Sequence, residues 1–285
     1  MIDIDGRTTT VFEPQAYDPG IPAPVLLLLH GYTMSGIAQE NMMDFTPVMD
    51  AEGFLFVRPD GLVDCEGDRF WNATAACCNF CGSSVDDSAY LQDLIEEIKF
   101  LYNVDERRVF VVGYSNGGFM AHRLACEHAD TFAAIASLGG ATFPTPAQCP
   151  ASESIHVLEI HGTADATIEY IGGSILGNPY PGAVVTVETW AALNGCSLAA
   201  DIAAANLNLV HGPGGAETEI ARYETDCVEG GSAELWTMNN TVHFPILTNN
   251  FSQDVVDYLL DHPQPVPEPP EVLLLAAGVG FLAVL

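Results

Sequence analysis

Gly113-Tyr114-Ser115-Asn116-Gly117 sets a serine at the centre of a G-x-S-x-G pentapeptide. Four β-prone apolar residues, 109–112, precede it, and Gly118-Phe-Met-Ala-His-Arg-Leu-Ala-Cys126 reads as a helix after it. A strand, a tight turn and a helix are the context in which such a serine is a nucleophile rather than an incidental loop residue. The two flanking glycines fit a turn so sharp that a side chain at 113 or 117 would meet the neighbouring strand or helix. The backbone N–H that follows the serine then sits at the positive end of a helix.

A serine hydroxyl attacks only when a base takes its proton, and the base needs a third group to orient it. In a parallel α/β sheet of this kind the order along the chain is serine, acid, histidine. Asp165 follows the apolar run 155–160, where a strand end meets the active edge of the sheet, while Asp201 and Asp226 lack that placement. Of the histidines beyond Asp165, His262 abuts a proline-rich segment and His211 lies in a Gly-rich turn. His243 follows the last strand candidate, 233–238, and precedes a terminal helix, so it is the expected base. His30 is expected to support the loop after the first buried strand, and His122 to be a packed core residue. The oxyanion of an acyl-transfer intermediate needs N–H donors. Asn116 N–H, just after the serine, and Tyr32 N–H, in His30-Gly31-Tyr32 after the run 25–29, are the candidates, with the Tyr32 ring lining the acyl site.

The elements needed to position these groups are present. The run 25–29 is continuously apolar, as a strand buried on both faces must be, and 54–57, 109–112, 132–138 and 155–160 repeat that character. Residues 8–12 read as an antiparallel edge strand. Between the strands, 41–52, 84–101 and 188–193 read as helices, with Ser84 and Asp87 as an N-cap and acidic first turn. Leu91, Leu94, Ile95, Ile98 and Leu101 recur at helical spacing, and 252–260 reads as a closing helix. Short β candidates fall at 207–210, 220–223 and 233–238. The expectation is an α/β protein, a predominantly parallel doubly wound sheet with helices on both faces. One catalytic domain spans 1–262, followed by a Pro-rich spacer at 263–271 and an apolar tail at 272–285.

Three stretches together resemble the secreted polyhydroxybutyrate depolymerase and feruloyl esterase-like group of α/β-hydrolases. They are Leu-His-Gly at 29–31, Arg-Arg-Val-Phe-Val-Val-Gly-Tyr-Ser-Asn-Gly-Gly at 107–118 and His-Gly-Thr-Ala-Asp at 161–165, and the match covers about residues 5–262. The resemblance implies an α/β-hydrolase whose triad is Ser115, Asp165 and His243, and it places Trp71, in Phe70-Trp71-Asn72, near the acyl cleft. A core-packing role for Trp71 stands beside that one. The group's G-H-x-W-P around the histidine reads Val242-His-Phe-Pro245 here, without the glycine and the tryptophan. The function expected is a serine carboxylic-ester hydrolase acting through an acyl-enzyme on feruloyl, hydroxyalkanoate or aromatic polyester-type esters, with no cofactor and no metal. A serine peptidase of the same fold and a non-catalytic binding protein are the other classes.

The composition narrows the partners. Thirty-eight Asp and Glu face 8 Lys and Arg, a formal charge of −30, and Lys99 is the single lysine. Nucleic acid and anionic membrane surfaces are repelled by such a chain. Either a high-salt habitat, where counterions screen self-repulsion, or an ordinary acidic enzyme accounts for the balance. Eight cysteines suit an oxidising compartment. Cys77-Cys78-Asn-Phe-Cys81 lacks the partner spacing of a zinc site. Cys126 with Cys149 and Cys196 with Cys227 are the expected bridges. The other four allow three connectivities, of which Cys65–Cys78 with Cys77–Cys81 is preferred. The cysteines and the resemblance lead to the expectation of a secreted, extracytoplasmic bacterial protein, with a monomer favoured; Met1-Ile-Asp-Ile-Asp has neither the basic flank nor the apolar core of a signal peptide, so the sequence is read as lacking its signal. The 14 residues of 272–285 are too few for a membrane span of ~20. Following Pro267-Glu-Pro269, they read as a truncated PEP-type sorting signal and transient anchor.

Overall fold

The computed structural model describes residues 1–266 apart from 204 and 213. The tail read as a sorting signal therefore lies outside the described residues. In chain order, β1 (Ile2–Ile4) and β2 (Arg7–Thr9) form a hairpin, and β3 (Val11–Phe12) and β4 (Ala23–Leu29) enter the main sheet. Helices α1 (Gly36–Met43) and α2 (Thr46–Glu52) lead to β5 (Leu55–Val57). The hairpin of β6 (Leu62–Val63) and β7 (Arg69–Phe70) opens a cysteine-rich excursion that ends at α3 (Asp87–Leu101). Next come β8 (Val104–Tyr114), α4 (Asn116–Glu127), β9 (Ala134–Leu138) and β10 (His156–Gly162). The hairpin of β11 (Gly172–Ile175) and β12 (Asn178–Pro181) precedes α5 (Ala183–Leu193). Last are β13 (Asp201–Ile202), β14 (Thr218–Tyr223), β15 (Ser232–Met238) and α6 (Phe251–Asp261).

The nine-stranded sheet runs β13-β14-β15-β10-β9-β8-β4-β5-β3. Its central six strands, β15 to β5, are parallel, and both edges are antiparallel. Continuous apolar strands are what this arrangement demands, because each face is covered. Val25, Leu27 and Leu29 of β4 pack with Leu94, Phe119 and Trp190 of α3, α4 and α5, while Leu26 and Leu28 pack with Met43, Met49 and Val255 on the side of α1, α2 and α6. The fold is that of an α/β-hydrolase, with β8 and its turn at the centre.

Local departures from the expected elements have identifiable causes. The helix expected over 41–52 is two helices, because Asp44 turns into the left-handed region at φ 54° and closes α1. Its N–H donates to Glu40 O, and Pro47 stands in the first turn of α2. The cap of α3 is Asp86, not Ser84: Asp86 Oδ1 accepts from Ala89 N at 3.3 Å. Asp87 turns inward instead, fully buried. Residues 207–210 form isolated bridges, Leu207 to Thr218 and Val210 to Leu247, rather than a strand. The start of the proline-rich spacer lies against the domain, where Arg107 Nε donates to Gln264 O at 2.8 Å.

Four disulfides hold the loops. Cys126 pairs with Cys149, closing the α4–β10 connection, and Cys196 pairs with Cys227. The other two differ from the preferred pairing: Cys65 bonds Cys81 and Cys77 bonds its neighbour Cys78. The reason is local. Reciprocal hydrogen bonds between Thr74 and Cys77 curl 74–78 into a tight turn that joins adjacent sulfurs. Cys65 is left facing Cys81 at a Cα separation of 5.9 Å, within the usual reach of a disulfide. No helix of the described residues is long and apolar enough to cross a membrane.

Candidate active site

Ser115 stands at the end of β8 with φ 51° and ψ −116°, a conformation that a non-glycine residue holds only when its surroundings enforce it. They do so here. A Cβ on Gly113 would lie 2.1 Å from Gly117 O at the start of α4. One on Gly117 would lie 2.3 Å from Leu29 O on β4. Only glycine permits both approaches, and Ser115 N–H donates across the sheet to Leu138 O at 2.8 Å. The turn thus fixes the hydroxyl above the sheet edge.

The loop after β10 supplies Asp165. It is pinned beside the loop after β15, since Thr163 N–H donates to Met238 O and Ala164 N–H to Thr241 O, both at 3.0 Å. Asp165 Oδ1 accepts from Thr167 N at 2.8 Å and from Ile168 N at 2.9 Å. The other oxygen faces His243, whose Nδ1 lies 2.6 Å from Asp165 Oδ2. His243 Nε2 lies 3.0 Å from Ser115 Oγ. All three side chains are buried, Ser115 at 8 %, Asp165 at 6 % and His243 at 6 % exposure, so water weakens the chain little. Burial on its own would raise the Asp165 pKa, but hydrogen bonds from His161 and His243 and from the Ile168 amide hold it well below the usual carboxylate range. The acid therefore stays ionised and fixes the imidazole with its proton on Nδ1 and a free lone pair on Nε2.

His30 behind the first loop is fully buried. Gly61 N–H donates to its Nε2 at 2.8 Å, so Nδ1 carries the proton and donates to Gly31 O at 2.8 Å. Burial lowers its pKa, in keeping with that neutral tautomer. His30 braces the peptide that carries Tyr32. Tyr32 is half-buried; its hydroxyl donates to Asp64 Oδ2 at 2.7 Å and its ring meets Phe80 edge-on at 5.3 Å.

The surroundings of Trp71 are those of a packed side chain. It is fully buried, its indole N–H donates to His30 O at 3.0 Å, and its ring packs on His30 at 4.9 Å. The side chain of Asn116 clamps the Trp71 backbone, accepting from its N–H at 2.7 Å and donating to its carbonyl at 2.9 Å. Sequence reasoning found Asn116 for its amide and missed this second role. It also missed Tyr114, whose hydroxyl donates to His243 O at 2.8 Å. The third omission is Glu159, a buried carboxylate inside β10 joined to His161. A charged residue two positions before a histidine on one face of an apolar strand was the available signal. His122 is a core residue, as expected from its place on α4.

Residues 19–184 match the family described as phospholipase/carboxylesterase. The chain belongs to that family. Feruloyl esterase B of Piromyces equi is 27% identical over 199 residues, covering 67% of this chain and 36% of that protein. Feruloyl esterase C of Emericella nidulans is 27% identical over 183 residues, covering 62% of each. The chain thus spans less than two thirds of the length of either relative. An acetyl xylan esterase from Aspergillus awamori shares the fold at a TM-score of 0.62 and 15% identity, over 87% of this chain and 92% of that one.

Proposed function

We propose that the chain is an extracytoplasmic serine carboxylic-ester hydrolase that works through an acyl-enzyme. The observation that carries the reading is the unbroken contact Ser115 Oγ to His243 Nε2 to Asp165, at 3.0 and 2.6 Å. His243 Nε2 takes the Ser115 proton as Oγ attacks the ester carbon. The amides of Tyr32 and Asn116 receive the oxyanion; among the described residues neither N–H has a protein acceptor. His243 then gives its proton to the departing alcohol, leaving Ser115 acylated. A water deprotonated by the same nitrogen attacks the acyl carbon, and the acid leaves with Ser115 restored.

Family membership and the names of the relatives support ester rather than amide chemistry. Exposed apolar side chains around His243, Val242, Phe244 and Ile246, support acyl or aryl groups that prefer an apolar surface. Feruloyl esters, hydroxyalkanoate oligomers and aromatic polyester oligomers are the substrates to compare. Four disulfides support residence in an oxidising compartment. The test sets a p-nitrophenyl acyl ester beside a peptide anilide, each with wild type and Ser115→Ala. Ester turnover lost on substitution supports the reading. Anilide turnover as fast as ester turnover would make it a peptidase, and no turnover of either would leave a binding protein.

A further inference from the structure

Behind Asp165 the fold buries a second set of ionisable groups that the triad does not use. Glu159 and His161 alternate onto the same face of β10, and both are almost wholly excluded from water, at 0 % and 1 % exposure. His122 of α4 and Trp190 of α5, each fully buried, close the far end. The hydrogen bonds run in one direction. Trp190 Nε1–H can only donate, and it donates to His122 Nδ1 at 3.0 Å. His122 must therefore carry its proton on Nε2, which donates to Glu159 Oε2 at 3.0 Å. The remaining oxygen, Glu159 Oε1, lies 3.0 Å from His161 Nδ1. His161 Nε2 lies 2.8 Å from Ile168 O, a carbonyl that can only accept, and 3.5 Å from Asp165 Oδ2. With a carboxylate or carbonyl oxygen at each ring nitrogen, the imidazole donates at both.

We propose that His161 is a positioning residue, an imidazolium at neutral pH held between the Glu159 and Asp165 carboxylates, which fixes Asp165 and sets a positive charge behind the triad. The inference rests on the triad reading above. Two effects follow from one side chain. Its Nε2–H bond to Ile168 O closes the turn whose amides at 167 and 168 hold Asp165 Oδ1. Its charge, paired with Glu159 on one side, presents a positive end to Asp165 on the other. Burial would discharge an isolated imidazole, but hydrogen bonds to Asp165 and Glu159, the Glu159 charge and the Ile168 carbonyl push its pKa up to about 10. The surrounding titratable groups are Glu159 and His122 on the β10–α4 side, Asp165 and His243 from the two loops, and the tyrosines. Tyr170 meets the His161 ring edge-on at 5.7 Å, and Tyr114 and Tyr180 face Asp165. Burial raises the pKa of all three tyrosines, which leaves His161 as the cation of the set.

Two measurements test this. In ¹⁵N-histidine-labelled wild-type protein, with His161 assigned through its backbone, both ring nitrogens should show the imidazolium pattern at pH 7 and lose it only near pH 10. A neutral pattern at pH 7 overturns the proposal without reference to activity or to any variant. In kinetics, His161→Gln keeps a donor toward Ile168 and removes the charge. The acid limb of kcat/KM should move to higher pH by ~1 unit, because a positive charge no longer opposes protonation of the base. Removing the partner charge as well, in His161→Gln/Glu159→Gln, should bring the limb back toward wild type. A merely structural histidine would lower kcat and leave the limb in place, and that result contradicts the proposal. Should Ser115→Ala retain activity, the triad reading fails while the NMR result still judges the charge on His161.

Discussion

The hydroxyl of Tyr114 donates to the carbonyl of His243 at 2.8 Å, joining the residue before Ser115 to the loop that carries the imidazole, 129 residues later. The two rings also lie 5.2 Å apart, and Phe244 meets the Tyr114 ring edge-on at 5.7 Å. The loop after β15 has exposed flanks at Val242 and Phe244, so this buried bond is a principal restraint on where Nε2 points.

Tyr114→Phe keeps the ring and removes the bond. A net hydrogen bond of about 1 kcal/mol corresponds to a ~5-fold effect. We expect kcat to fall roughly 3- to 10-fold with KM nearly unchanged, because the loss is in orientation of the base rather than in binding. A rise in KM at constant kcat would show that the loop serves substrate binding instead.

The excursion at 61–83 is held by a buried ion pair. Arg7 Nη1 donates to Asp87 Oδ1 at 2.7 Å, and Asn72 N–H donates to Asp87 Oδ2 at 2.7 Å. The Arg7 guanidinium lies over the Tyr90 ring at 3.4 Å and also donates to Asp60 O. Arg7→Ala leaves Asp87 buried without its partner, and denaturant unfolding should show a loss of about 3–5 kcal/mol. A loss under about 1 kcal/mol would mean that water replaces the guanidinium at little cost.

Much of this architecture was legible in the sequence, and what was not has physical causes. The strands at 25–29 and 109–112 announced themselves because a doubly covered parallel strand has to be apolar without interruption. Ser115 was legible because its turn requires glycine on both sides. Asp165 and His243 were readable from their order and from the strand ends they follow. Trp71 was not, since a tryptophan beside a cleft and one beneath it look alike until Asn116 and His30 are seen to hold it. The Cys65–Cys81 pairing depended on the turn at 74–78, which composition does not encode. Glu159 was hidden inside an apolar run because its counterparts, His161 and His122, come from the same strand and from a helix 37 residues earlier.

Stability should fall on both sides of neutrality. Burial, and then the neighbouring His262, hold the His156 imidazole down at about 3, against ~6.5 in the unfolded chain. Between those values the unfolded state binds a proton that the folded state refuses, so stability is lost as pH drops below about 6.5. His161, at about 10, has the opposite sign: its contribution is complete below ~6.5 and disappears as pH rises through about 10. Urea midpoints across pH 3–10 should show both slopes, the alkaline one flattened in His161→Gln and the acid one in His156→Gln. An unchanged alkaline slope in His161→Gln would mean that other groups set it.

The charge of −30 makes a separate claim about salt. In dilute buffer the carboxylates repel one another across the surface. At ~1 M salt the Debye length shortens to about 3 Å, and that repulsion is screened. The melting temperature should therefore rise between low and molar NaCl and rise less with a neutral osmolyte, which strengthens burial without screening charge. A level melting temperature across that range would show that the acidity has no part in stability.

The central claim is that Ser115 is the nucleophile, activated by His243 and Asp165. It is tested most directly by intact-protein mass spectrometry after treatment with a fluorophosphonate, which phosphonylates an activated serine. One adduct per chain is expected, mapped to Ser115, absent in Ser115→Ala and slowed on the order of 10⁴-fold in His243→Ala. Labelling at another residue, or equal labelling rates in wild type and His243→Ala, would contradict the account.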